Sequence, residues 1–153
     1  MSMETSFVYG CGFEVSGVKA ETIVNFIKNH KKAFFETVPD PALYDELVKA
    51  EDIDEARELL ESCTCIISGR DGMYSVVSNI ISSETGISFQ YEPGQDDCIG
   101  EASILFPDTM PWSLNNKEID LTWKSFVDVL TPYVKELGLE QSAIGRIEIE
   151  YFG

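Results

Sequence analysis

His30 is the only histidine of the chain. It lies in the basic stretch Lys28-Asn29-His30-Lys31-Lys32. Nucleophilic catalysis of the Ser–His–Asp or Cys–His kind needs a base beside the nucleophile. No GxSxG elbow occurs, and none of Cys11, Cys63, Cys65 and Cys98 neighbours a histidine. Nor do the cysteines have zinc spacing, because Cys63-Thr64-Cys65 is CxC and a knuckle needs paired CxxC hooks or histidines. They read as reduced thiols used as small apolar side chains, with no further role assigned to Cys63 and Cys65. Gly10-Cys11-Gly12 lacks the third glycine of a dinucleotide loop. Gly69-Arg70-Asp71-Gly72, ahead of a helix, could hold an anion through N–H groups and Arg70, but an ordinary turn capped by Asp71 explains it more simply. Glu92, Asp96 and Asp97 offer oxygen ligands to a divalent cation without the spacing of a calcium loop, and a solvated hairpin tip is the simpler reading. No catalytic residue, metal ligand or cofactor is assigned.

The acidic segment is more informative. Residues 38–61 hold Asp40, Asp45, Glu46, Glu51, Asp52, Asp54, Glu55, Glu58 and Glu61 against Lys49 and Arg57. As helix, this segment spans roughly 36 Å at about 1.5 Å per residue. That is about one carboxylate per 4 Å, near the ~3.4 Å charge spacing of a nucleic-acid single strand. Solvated surface is the bland explanation, since helix N-termini favour acids. The alternative is a docking face for a basic partner, formed by Asp45, Glu46, Glu51, Asp52, Asp54, Glu55 and Glu58. A second candidate surface is Glu92, Asp96, Asp97 and Trp112.

The elements that must position these groups follow from hydrophobic spacing. Phe7, Tyr9, Cys11, Phe13 and Val15 alternate, which predicts a strand over 5–15. Gly10 and Gly12 in it predict a bulge or a close neighbour. Ile23, Phe26, Ile27, His30 and Phe34 form the stripe of one helix over 19–35, with His30 a packed residue making one hydrogen bond. Asp40 with Pro41 starts a short helix, and Asp52 with Glu55 has capping-box spacing for a second. Cys63 to Ser68 reads as a short strand or buried turn. Val76, Val77, Ile80 and Ile81 mark a helix over 73–85, with Gly86 at its left-handed end. Strands are expected at 87–92, 101–106 and 144–152. Between the last two, Thr122 caps a helix whose inner side is Phe126, Val127, Leu130, Val134 and Leu137, with a kink at Pro132 and an end at Gly138.

The expected fold is therefore α+β: one four-stranded, mainly antiparallel sheet with helices packed on one face. The order is ferredoxin-like, strand-helices-strand-strand-helix-strand, with an acidic helical insertion. Residues 1–153 read as a single domain. The chain has 27 Asp plus Glu against 11 Lys plus Arg, a net charge of -16. Direct nucleic-acid binding is excluded by that sign, since it needs a basic face. No apolar run approaches a membrane span, and Met1 to Phe7 lacks the features of a signal peptide, so the expected location is the cytoplasm. Oligomeric state is left open.

The run Gly72-Met73-Tyr74-Ser75-Val76-Val77-Ser78-Asn79-Ile80-Ile81, through Glu84-Thr85-Gly86-Ile87 to Tyr91-Glu92-Pro93-Gly94-Gln95, resembles a family of small acidic proteins from phages and integrative elements of Firmicutes. Leu105-Phe106-Pro107 and Glu150-Tyr151-Phe152-Gly153 share the resemblance. It brings no catalytic residues. It implies a mobile-element role, and acidic proteins of such elements often block host defence nucleases, CRISPR nucleases included. The expected function is thus a non-enzymatic binding protein that meets a basic, nucleic-acid-binding protein surface. A small carboxylate- or metal-dependent enzyme and a structural or assembly protein of the element are the alternatives.

Overall fold

Strand β1, Thr5–Glu14, is flanked on both sides. The computed structural model describes residues 5–38, 40–61, 72–93, 102–108, 114–119 and 121–152, with backbone alone for 5, 6 and 150–152. The other strands are β2, Gln90–Glu92, β3, Ser103–Pro107, and β4, Gly145–Phe152. They form one sheet of order β2-β3-β1-β4 with every neighbouring pair antiparallel. Among the described residues, six helices complete an α+β fold: α1, Ala20–Asn29, α2, Lys31–Thr37, α3, Ala42–Lys49, α4, Ile53–Glu61, α5, Met73–Thr85, and α6, Trp123–Glu136. A short 3-10 turn, Gln141–Ala143, precedes β4. The chain divides into two compact units, Met1–Gly17 with Ile87–Gly153, and Val18–Gly86.

The first unit holds the sheet and α6. Cys11 lies opposite Phe106 and Phe13 opposite Ile104, so these four share a face. The Phe106 and Phe126 ring centroids are 5.1 Å apart, which places α6 over that face, and Phe89 meets both rings edge-on. Burial rises along β1: Phe7 and Tyr9 are exposed, Cys11 is half-buried and Phe13 is fully buried. The alternation is real, then, but its first half faces solvent. Gly10 and Gly12 sit against the β3 backbone. A Cβ on Gly10 would overlap the Phe106 carbonyl oxygen, and one on Gly12 the Ile104 carbonyl oxygen. These glycines do have a close neighbour, but it is the paired strand β3 of the same sheet rather than an element on the second face of β1.

Thr122 caps α6 by accepting the Ser125 N–H at 3.3 Å. Leu130, Val134 and Leu137 are buried as expected, whereas Val127 is only half-buried. Pro132 lies on the exposed side, and the helix runs through it to Glu136. Beyond the cap at Leu137, Gly138 is left-handed at φ +79. The N–H groups of Gly138 and Leu139 donate to Lys135 and Val134 carbonyls, closing the helix end. Strand β2 is shorter than expected, because the Phe89 N–H turns back to the Ile87 carbonyl at 3.0 Å and leaves only Gln90–Glu92 in the ladder.

Among the described residues, the regular elements of the second unit are all helices, and α5 is their centre. Helices α1, α2 and α4 all contact α5. Its buried residues, from Met73 to Ile81, include Ser75, Ser78 and Asn79 as well as the apolar stripe. Ser78 Oγ donates to the Ser75 carbonyl and Ser82 Oγ to that of Ser78, which satisfies these two hydroxyls, whereas Ser75 Oγ is buried without a hydrogen-bond partner among the described residues. Gly86, left-handed at φ 74, ends α5 where the sequence placed it.

The single helix expected over 19–35 is two helices. His30, at φ -115 and ψ 50, interrupts it. Its N–H donates to Ile27 O, and its carbonyl accepts from Phe34 to begin α2. The ring stacks on Phe26 at 4.3 Å, and Nδ1 lies 2.9 Å from Glu84 Oε2.

Two stability measurements test this packing. Gly12→Ala should lose about 1–3 kcal/mol by urea unfolding, because β3 must move away from the new methyl. Gly145→Ala, where a Cβ meets nothing within 4 Å, should stay within about 0.5 kcal/mol of the parent. Equal effects at the two sites would contradict the close approach of β3. Phe126→Ala should cost about 3–5 kcal/mol, and a cost near zero would place the wrong face of α6 inward.

Candidate docking face

Helices α3 and α4 are held in place by their apolar sides. Leu43 and Leu47 of α3 and Ala56 and Leu60 of α4 are buried. The Tyr44 hydroxyl donates to the Lys28 carbonyl at 2.7 Å, tying α3 to α1. The Tyr44 ring lies 5.5 Å from Phe35 and 5.7 Å from Phe34, and Lys31 Nζ sits over both Phe35 and Tyr44. This cluster fixes α3 against α2 with rings that lose little entropy on packing.

Both acidic helices begin with carboxylate caps. Asp40 Oδ1 accepts the Ala42 N–H at 3.1 Å ahead of α3. At α4, Asp52 Oδ1 accepts the Glu55 N–H at 2.8 Å, while the Glu55 carboxylate accepts the N–H of Glu51 at 3.3 Å. The reciprocal pairing is that of a capping box with its return bond one residue earlier than Asp52. Acids in the first turns, Asp45 of α3 and Asp54 and Glu55 of α4, also suit the helix dipole.

The outward sides carry the predicted residues. Asp45, Glu46, Glu51, Asp52, Asp54, Glu55 and Glu58 are all exposed. Lys49 and Arg57 are exposed among them. Of the seven carboxylates, only those of Asp52 and Glu55 accept a hydrogen bond within the described residues. The remaining five are spent on no internal contact.

The second candidate surface fares differently. Glu92 is buried, and its Oε1 accepts from Gln90 Nε2 at 2.6 Å. It is a structural group of β2 rather than a surface one. Asp96, Asp97 and Trp112 lie outside the described residues, as do Cys63, Cys65, Cys98 and most of the Gly69–Gly72 turn. Where that turn enters α5, Gly72 has φ +103 and the Glu61 carboxylate stands 3.3 Å from the position of a Cβ on it. That end of α5 already faces a carboxylate, which favours the helix dipole and repels an incoming anion.

One buried acid escaped the spacing analysis. Glu118 is 5% exposed and accepts the N–H of Ser88 at 2.6 Å and of Asn115 at 3.0 Å. Asn115 Oδ1 in turn accepts from Lys117 and Glu118. The signal is present as Asn115-x-x-Glu118, a capping-box pattern ahead of the Thr122 cap. Glu118 also lines, with Cys11, Phe106, Leu121 and Phe126, a cavity of about 270 Å3 beside α6.

Cys11 is the thiol of that cavity. Burial pushes it up to about 11, the Arg146 guanidinium opposes the shift and Asp108 adds to it. Arg146 and Asp108 are ion-paired at 2.7 Å but both stay more than half exposed, so the pair adds little stability. The thiol is therefore neutral at pH 7 and a poor nucleophile. Alkylation of Cys11, read by peptide mass spectrometry, should be about tenfold slower at pH 8 than for a thiol at 9.0, the smaller thiolate fraction being partly offset by the greater nucleophilicity of a more basic thiolate. Its rate should climb toward pH 11, faster in Asp108→Asn and slower in Arg146→Gln. A plateau near pH 9 would contradict this environment.

No helix among the described residues is long and apolar enough to cross a membrane. No family model matches the chain, and no curated protein or solved structure matches it either.

Proposed function

We propose that this chain is a non-enzymatic binding protein that docks its acidic helices α3 and α4 on a basic, nucleic-acid-binding surface of a partner protein. The observation that carries the reading is the exposure of all seven predicted carboxylates, five on two adjoining helices whose apolar sides are buried and Glu51 and Asp52 in the turn between them. Complementary charge of this kind acts mainly on encounter rate and on exclusion of wrong partners. The net charge of -16 adds a long-range field of the same sign. The motif resemblance to acidic proteins of phages and integrative elements gives the partner a class: a host defence protein that binds nucleic acid, such as a CRISPR nuclease.

The test replaces Glu51, Glu55 and Glu58 by Gln and Asp54 by Asn. Asp52 is retained because it caps α4, and Gln at 55 can still accept the Glu51 N–H. A partner recovered by cross-linking and mass spectrometry should associate with this variant about tenfold more slowly at low salt, with a flatter salt response. The melting temperature should stay within about 3 °C. Identical association rates across a salt series would reduce the acidic face to ordinary solvated surface.

A further inference from the structure

We infer that a groove between α1 and the α3–α4 corner is the anchor point for an arginine side chain of the basic partner. The inference rests on the docking reading above and gives that face a specific contact. The groove has a volume of about 300 Å3, roughly ten times the ~30 Å3 share of one water. That is the small end of ligand pockets and suits one long side chain better than a whole cofactor. Its floor is apolar: Val24 of α1 and Ala56 of α4 are almost fully buried, and Ile53 is 38% exposed toward solvent. Its rim is acidic, with Glu21 of α1 on one element and Glu51 and Asp52 of the corner on another, against the single ammonium of Lys28.

Each part selects the same chemistry. Apolar floor surface beside carboxylates fits a side chain with a methylene stem and a cationic head. An anion is repelled by three carboxylates facing one ammonium, and a purely apolar side chain would strand them. Between the two natural cations, guanidinium is the better match. It is planar, more weakly hydrated than ammonium, and its fork of N–H donors can serve two carboxylates at once. Asp52 uses Oδ1 to cap α4, and its second oxygen is the one left for such a contact. The face as a whole would then attract, and the groove would register the partner. Glu21 is the distinguishing residue, because it belongs to α1 and lies outside the acidic segment of α3 and α4.

The test uses the full chain labelled with 15N and a capped peptide, Gly-Gly-Arg-Gly-Gly, with its citrulline analogue as the uncharged isostere. With the arginine peptide, amide shifts should concentrate at Val24, Ile53 and Ala56. Citrulline should bind at least about tenfold more weakly. Glu21→Gln should weaken the arginine peptide about two- to fivefold, with the amide spectrum otherwise unchanged. Asp45→Asn with Glu46→Gln, on α3 away from the groove, should leave its affinity as it was. Shifts spread over α3 and α4, with Asp45 and Glu46 mattering as much as Glu21, would overturn the groove while leaving the docking face intact. Equal binding of citrulline, or no shift in the groove, would also overturn it. The docking reading fails separately, through association rates with the intact partner that ignore the four charges of the variant above.

Discussion

The contact between two glycines of β1 and the backbone of β3 is the constraint on which the sheet depends. Among the described residues, β1 is the only strand with a long partner on each side, β3 and β4. At Gly10 and Gly12 a methyl group would occupy the space of β3 carbonyl oxygens. Glycine costs conformational entropy in a strand, and here the close approach offsets it. That approach sets Phe106 opposite Cys11 and so delivers its ring to Phe126 of α6. Helix, sheet and the cavity beside Cys11 all take their positions from this register. A shift of one residue would send Phe106 and Ile104 to the opposite face.

The second constraint is charge. A chain with 27 acids and 11 bases repels itself in the compact state. The structure meets this in three ways. Acids that are buried are bonded: Glu118 by two backbone N–H groups and Glu92 by an amide side chain. Acids in the caps and first turns of α3 and α4, and Glu61 beside the start of α5, face the positive ends of helix dipoles. Among the described side chains, the other acids are exposed to water, where the dielectric is high and salt screens them.

Long, strongly periodic elements were legible in the residues because their signals are local. The α5 stripe, the Gly86 cap, the Thr122 cap and the alternation of β1 and β4 all state themselves within about fifteen residues. What escaped depends on partners far away in the chain. The break at His30 leaves the apolar period unchanged, so spacing alone reads straight through it. The ring's anchor to Glu84 is 54 residues distant. Strand β2 lost its first half because the Phe89 N–H turns back to the Ile87 carbonyl, although β3 runs on past Leu105 to Pro107. Glu92 alternates as an outward residue yet is buried beside Gln90. For the docking face, the segment and its exposure were readable, since carboxylates off an apolar stripe must face water. The groove was not, because Glu21 and Glu51 are brought together only by α1 packing on α4.

This difference bears on how an acidic protein can be selective. Its net field attracts any polycation, and at physiological ionic strength that attraction fades beyond about 8 Å. Within that distance the exposed carboxylates of α3 and α4 on their mobile side chains discriminate poorly, since each can follow whatever cation approaches. Selectivity needs a place where a wrong group costs something. A floor made by Val24, Ile53 and Ala56 under a divided acidic rim meets that need. A short or neutral side chain there leaves desolvated carboxylates unmatched, and unmatched buried charge is penalised more heavily than a good pair is rewarded. On the proposed docking, the broad face would govern how fast a partner arrives, and the small groove which partner stays.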